Sequence, residues 1–267
     1  MKTIIRATIC LAAAVSLSAT HLTNDQIEQF LKEARIVNTK KLSMGVTNSS
    51  KAFLDDGSVQ HEAHVQTIDE HKQKFESPRG TEINFRDSYK YNVAAYELAK
   101  MLDLNMVPPS VERKAIGSMA AVTWWVDDAA MTELTRYKQK LSAPDSIDWN
   151  KQMNNVRVFD QLIYNTDRNL GNLVITNDWK IWMIDHTRAF RMVKTCQNTK
   201  LMRQVDRNLL QNLRNLNKED LTARLKKYLT KLEIEGILAR RDQIVSFFDQ
   251  QIAANGEPAI VFESPRR

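Results

Sequence analysis

A chain of 267 residues, 43% of them hydrophobic and 26% charged, is long enough to bury a sizeable core and too apolar to stay disordered. Its formal charge of +6 suits an anionic partner such as a phosphate-bearing ligand. With only Cys10 and Cys196, the chain has no cysteine-based metal cluster and no disulfide framework.

At the N-terminus, Lys2 and Arg6 precede an apolar run over residues 7–15 and the small residues Ser16, Ser18 and Ala19. That is the layout of a secretory signal peptide over residues 1–20, so the mature chain is expected to be exported, periplasmic or secreted, with Cys196 as its remaining cysteine. No other stretch is apolar over the roughly 20 residues that a membrane-spanning helix needs. Over residues 40–69, short β-favouring runs alternate with the turn signals Gly45-Val46, Asn48-Ser49-Ser50 and Asp55-Asp56-Gly57, which predicts a small antiparallel sheet. Residues 72–86 are polar and contain Pro78 and Gly80, as a loop does. Val93, Ala94, Tyr96, Leu98, Met101 and Leu102 keep a helical period over residues 88–102, and Pro108-Pro109 halts anything helical. One or two strands around Gly117 follow over residues 111–126. A lobe made of a sheet and one helix over residues 21–126 is the result.

The remainder, residues 127–267, reads as mainly helical. Val156, Phe159, Leu162 and Ile163 share one face of a helix over residues 150–164. Two short strands over 173–176 and 180–184 meet at the turn Asn177-Asp178. Leu209, Leu213 and Leu216, then Leu221, Leu225, Leu229 and Leu232, then Ile244, Phe247, Phe248 and Ile252 mark three more helices, with Asn217 and Asp220 capping the middle one. Between Arg191 and Ser246 there are 13 Lys+Arg against 6 Asp+Glu. They alternate with Leu and Ile at helical spacing, which describes solvated helix faces, and no nucleic-acid motif accompanies them.

The chemistry concentrates in Asn165-Thr166-Asp167-Arg168-Asn169-Leu170-Gly171-Asn172, a polar loop held between an amphipathic helix and a strand. Asp167 and Asn172 have the D-x-x-x-x-N spacing that puts a base near an accepting hydroxyl and an amide oxygen on a metal ion. Asp185 emerges from the apolar Trp182-Met183-Ile184, where an uncompensated carboxylate is costly. Mg²⁺ or Mn²⁺ bridging nucleotide phosphates would supply the missing charge. His186 packs or bonds beside that site, and Arg188 either pairs with a carboxylate or holds the segment after Asp185. Trp124, Trp125, Trp179 and Trp182 read as core or sheet aromatics, and His61 with His64 as a pair that could share a metal only if their side chains converged.

Asp167-Arg168 with Asn172, then Ile184-Asp185-His186-Thr187-Arg188-Ala189-Phe190, resembles the catalytic and metal-binding segments of atypical kinases. These include phosphatidylinositol 3- and 4-kinases, HipA-type kinases and the secretory-pathway Fam20-type kinases. Val93-Ala94-Ala95-Tyr96-Glu97-Leu98 followed by Val107-Pro108-Pro109-Ser110-Val111 is similar to the αC-like helix and next strand of the Fam20-type group. The resemblance implies an α+β, two-lobed protein-kinase-like fold, with a small β-rich N-lobe carrying one αC-like helix and a larger, mainly helical C-lobe. It also implies ATP as donor, Asp167 as catalytic base, Asn172 and Asp185 as ligands of Mg²⁺ or Mn²⁺, and an acceptor bearing a hydroxyl. The family's strand lysine would fall near Gln66 and its αC glutamate near Asn92, and neither carries the required charge. Lys72, Lys74 or Lys90 would then reach the phosphates from the loop, and Glu97 would serve from the same helix, although it is turned about 140° from Asn92. Two functions follow: a metal-dependent phosphotransferase acting on a protein, lipid or small-molecule hydroxyl, or a pseudokinase that binds nucleotide as a scaffold without turnover.

Overall fold

The computed structural model describes residues 22–42, 49–77 and 80–264; the leader expected over residues 1–20 and the turn at Gly45 lie outside the described residues. Helix α1 (Asn24–Glu33) opens on a capping box in which Thr23 and Gln26 each accept from the other's backbone N–H. Its Ile27, Phe30 and Leu31 are buried at helical spacing. The expectation of a single helix in the N-terminal lobe is therefore corrected: α1 is a second one, and Thr23-x-x-Gln26 is its signal.

Strand β1 (Arg35–Lys41) begins ahead of the predicted stretch, and β2 (Ser50–Asp55) and β3 (Gln60–Gln66) follow as expected for residues 40–69. The polar stretch predicted as a loop is instead a long hairpin, β4 (Asp69–Ser77) with β5 (Gly80–Ser88). Its two strands lie outside the main sheet and its side chains are largely exposed, so it lacks the apolar alternation that marks a half-buried strand. What holds it is cross-strand pairing, including a Phe75–Phe85 stack at 4.2 Å and a Thr81–Glu76 hydrogen bond of 2.7 Å. Helix α2 (Lys90–Met101) then leads to β6 (Ser110–Ala115) and β7 (Ser118–Trp124). The main sheet runs β1-β2-β3-β7-β6, antiparallel throughout. One face buries Ala52, Leu54, Ala63, Val65, Val111 and Val122 beneath α1. On β7 the alternate residue Ala121 packs on the opposite face against Val93 of α2.

Past the sheet come β8 (Ala129–Thr132), α3 (Glu133–Gln139), α4 (Ser146–Ile163), β9 (Leu173–Thr176) and β10 (Ile181–Met183). β8 adds a third strand to the expected β9–β10 hairpin. The chain continues through β11 (Val205–Asp206), α5 (Arg207–Asn215), α6 (Lys218–Leu225), α7 (Lys231–Asn255), α8 (Glu257–Ile260) and β12 (Val261–Phe262). The leucine series through Leu229 and Leu232 does not form one helix, because the Thr230–Glu233 capping box starts α7 anew after α6 ends. Among the described residues no helix is long and apolar enough to cross a membrane.

Helix α2 joins the two regions. Its Ala94, Ala95 and Leu98 belong to the same core as Phe159, Leu162, Leu213, Ile237 and Phe248 of the C-terminal helices. Polar ties reinforce this: Tyr91 Oη donates to Glu233, Asn212 Nδ2 to the Leu102 carbonyl at 2.9 Å, and Met183 N to the Met106 carbonyl at 2.8 Å. Tyr91 and Glu233 are both buried, so the carboxylate cannot exchange that donor for water. Tyr91→Phe is expected to lower stability by about 2 kcal/mol in urea unfolding, and a loss under about 0.5 kcal/mol would contradict the importance of this tie.

Candidate active site

Helix α4 ends with Tyr164 in the left-handed region (φ 50°), which turns the chain into the polar loop. Asp160, on the last turn of α4, holds that loop from within. It accepts from Asn165 Nδ2 at 3.1 Å and from Arg168 Nε at 3.0 Å and Nη2 at 3.1 Å. The Arg168 guanidinium goes further: Nη1 donates to the Asn172 carbonyl at 2.9 Å and the Ile184 carbonyl at 2.8 Å, and Nη2 to His186 Nε2 at 3.0 Å. One side chain thus ties α4, the loop and the end of β10 together. His186 must be neutral at Nε2 to accept; its complete burial, with Arg168 beside it, holds the imidazole well below its usual range.

Within this frame, Asp167 N donates to Asn165 Oδ1 at 3.0 Å, and Asn172 Nδ2 to the Asp167 carbonyl at 3.2 Å. Ile184 N donates to the Asn172 carbonyl at 3.0 Å, so Asp185 begins one residue beyond a bond to the loop. Asp185 itself is left-handed (φ 54°), a conformation that Asp tolerates better than most residues. Thr187 Oγ1 donates to Asp185 Oδ1 at 3.0 Å, and Thr166 Oγ1 to the Arg188 carbonyl at 2.9 Å. Asp167, Asn172 and Asp185 therefore stand on one hydrogen-bonded frame. Arg188 Nη1 lies 3.8 Å from Asp167 Oδ2, and its Nη2 lies 3.6 Å from Glu82 of β5, with the guanidinium over the Phe85 ring.

The other expected residues have partners of their own. Lys72 and Lys74 are on strand β4, not in a loop, in ion pairs with Glu70 (2.7 Å) and Glu76 (2.6 Å), and Lys90 pairs with Asp69 at 2.9 Å. Glu97 is half-buried against Arg224 of α6 at 3.3 Å; desolvation pushes its carboxyl up, and Arg224 pulls it down. Gln66 Oε1 accepts from Thr67 N at 3.0 Å and Ile68 N at 3.3 Å, which closes the end of β3. His61 stacks on Trp124 and bonds Asp127 at 2.8 Å, while His64, three residues along the strand, projects from the other face beside Asp185. The two histidines do not converge.

Two contributors escape sequence spacing, and Asn92, which the resemblance sets at the αC glutamate's place, has a different role from the one expected there. Asp160 is seven residues before the proposed base, Asp87 comes from the hairpin, and Asn92 from α2. Asn92 Oδ1 accepts from His186 N at 2.7 Å, both groups being buried, and Ser88 N donates to the Thr187 carbonyl at 2.9 Å. A signal for Asp160 existed in its place on the buried face of the amphipathic helix, where a lone carboxylate demands a partner.

No protein-family model and no curated protein matches the sequence. Solved structures do. The structure of hydra Fam20 with sugar superposes at TM-score 0.66 with 12% identity, covering 95% of this chain and 96% of that one. The Golgi casein kinase with Mn/ADP bound gives 0.61 at 13% identity, covering 91% and 80%, and a further structure of the Golgi casein kinase gives 0.62. The fold is that of an atypical protein kinase. In this kinase-like fold the β-rich N-terminal sheet precedes the helical C-terminal region, and α2 is the αC-like helix expected over residues 88–102.

Arg168→Met would leave the Asp160 carboxylate buried with one neutral donor and is expected to cost about 3–5 kcal/mol. Adding Asp160→Leu should restore part of the loss, as chemical denaturation of the single and double variants would reveal. A fully additive pair of losses would contradict the coupling.

Proposed function

We propose that this chain is a metal-dependent phosphotransferase that moves the γ-phosphoryl group of ATP to a hydroxyl on a protein, lipid or small molecule. The observation that carries this is the shared frame on which Arg168 holds Asp167, Asn172 and Asp185. Fold likeness to kinases supports the reaction class.

The donor set fits a hard divalent cation. Asp185 offers carboxylate oxygens, and because Asn172 Nδ2 is engaged with the Asp167 carbonyl, the amide's Oδ1 is the atom left for a cation. When bound, Mg²⁺ or Mn²⁺ would offset phosphate charge and align the donor. Asp167 accepts the proton of the acceptor hydroxyl, and Arg188, close to it, holds the carboxylate in place and adds positive charge near the transferred group. The leader-like layout of residues 1–20 supports an acceptor outside the cytoplasm.

A second reading has its own observation. Gln66 and Asn92 stand where an ATP-anchoring lysine and its glutamate are expected, both are uncharged, and both are engaged in other hydrogen bonds. That supports a nucleotide-binding scaffold without turnover. Labelled ATP with Mg²⁺ or Mn²⁺ separates the two: the parent should move label to an acceptor or water, and Asp167→Asn should lower turnover by about 10²–10⁴ while Mn·ADP still raises its melting temperature. Asp185→Asn should lose both effects. Stabilisation of the parent without turnover would favour the scaffold, and neither effect would dismiss both.

A further inference from the structure

We propose that Asp87, from the end of β5, is a further protein carboxylate of the divalent-cation site, acting beside Asp185. This rests on the nucleotide-binding reading above and adds a ligand from an element outside the Asp167–Asp185 segment.

Asp87 is 7% exposed, and its Oδ1 has no hydrogen-bond donor. Ser88 N, one residue on, bonds the Thr187 carbonyl at 2.9 Å and so clips the end of β5 to the segment that carries Asp185. The Thr187 hydroxyl lies between the two carboxylates, donating to Asp185 Oδ1 at 3.0 Å and also reaching Asp87. It has one hydrogen and cannot satisfy both. Burial above all pushes the Asp87 carboxyl up, the Thr187 bond lowers it, and the neighbouring Asp185 adds a smaller rise.

The local cations do not resolve this. Arg188 directs its nitrogens to Asp167 at 3.8 Å and Glu82 at 3.6 Å, while Arg191 directs its own to Glu82 at 2.5 Å and the Arg86 carbonyl at 2.9 Å. With Glu70 paired to Lys72 at 2.7 Å, two guanidiniums stand among the four remaining carboxylates of Glu82, Asp87, Asp167 and Asp185, and one divalent ion balances the difference. A buried carboxylate oxygen with neither donor nor ion is costly, so this position calls for a cation. Among the described residues no group of three His, Cys, Asp or Glu closes on one point. Phosphate oxygens, the Asn172 amide and water would complete the shell, as is usual for Mg²⁺. Asn92 on α2 has its amide oxygen on His186 N, and the carboxylate that α2 lacks at this place comes from the strand just before it.

The test is Mn²⁺ binding to the full chain with ADP present, by calorimetry or by the electron paramagnetic resonance of free Mn²⁺, together with melting in EDTA. Asp87→Asn is expected to weaken Mn²⁺ binding by about 10-fold or more, and, with the repulsion removed, to melt no lower than the parent in EDTA. Asp87→Ser gives the same comparison should the amide fail to fold. Mn²⁺ binding within about twofold of the parent in a folded variant overturns the proposal, as does a lower melting point in EDTA with affinity unchanged. A parent that binds no Mn²⁺·ADP removes the nucleotide-binding reading as well. Binding that Asp185→Asn abolishes and Asp87→Asn leaves intact removes Asp87 alone.

Discussion

The Arg168 guanidinium is the constraint on which the rest of the site depends. A planar fork with five N–H donors can meet a carboxylate with one edge and still direct its other nitrogens elsewhere. Here one edge takes Asp160, and the remaining donors take two backbone carbonyls and an imidazole. Lysine has the charge but not the fixed angles. Because the carbonyls belong to Asn172 and Ile184, the same side chain sets the distance between the polar loop and the residue that precedes Asp185. A buried ion pair of this kind is weak evidence for net stability, since desolvation offsets most of the attraction. Its contribution is to geometry.

A second constraint is the position of α2. Its apolar side is continuous with the C-terminal core, and Tyr91 ties it to α7 through Glu233. Through Asn92 it also holds the backbone just after Asp185. An ion pair from strand to helix would align the helix indirectly, whereas here a neutral amide contacts the backbone just after Asp185 itself. The two uncharged residues at Gln66 and Asn92 are thus compatible with an assembled site, and charge is restored nearby by the carboxylate of Asp87 and the guanidinium of Arg188.

How much of this could be read from the chain depends on how local each signal is. Asp167, Asn172 and Asp185 lie within one short stretch, and the order of helix, polar loop, hairpin and terminal Asp, rather than their spacing alone, suggests a shared site. The sheet, α2, α4 and the β9–β10 hairpin have clear periodicity and appear close to where the sequence puts them. The β4–β5 hairpin gives no such signal, because a two-stranded ribbon exposed over most of its length has no continuous apolar face to alternate. That also misplaces Lys72 and Lys74, whose charges are met by neighbours on their own strand. Asp87 and Asn92 reach the site only through long-range pairing, β5 against the Thr187 segment and α2 against His186, and no local pattern encodes such partners. The α1 helix is a different case, since its capping box and apolar triplet are both present in the sequence.

In the proposed site a loop carboxylate, a loop amide and the carboxylate after β10 face one cation and a nucleotide. Crystals grown with Mn²⁺ and ADP, and measured at the manganese absorption edge, test it most directly. An anomalous peak is expected within about 2.0–2.6 Å of both the Asp185 carboxylate and Asn172 Oδ1, with diphosphate density against it. A manganese peak bound away from those two residues, with ADP placed elsewhere, would contradict it.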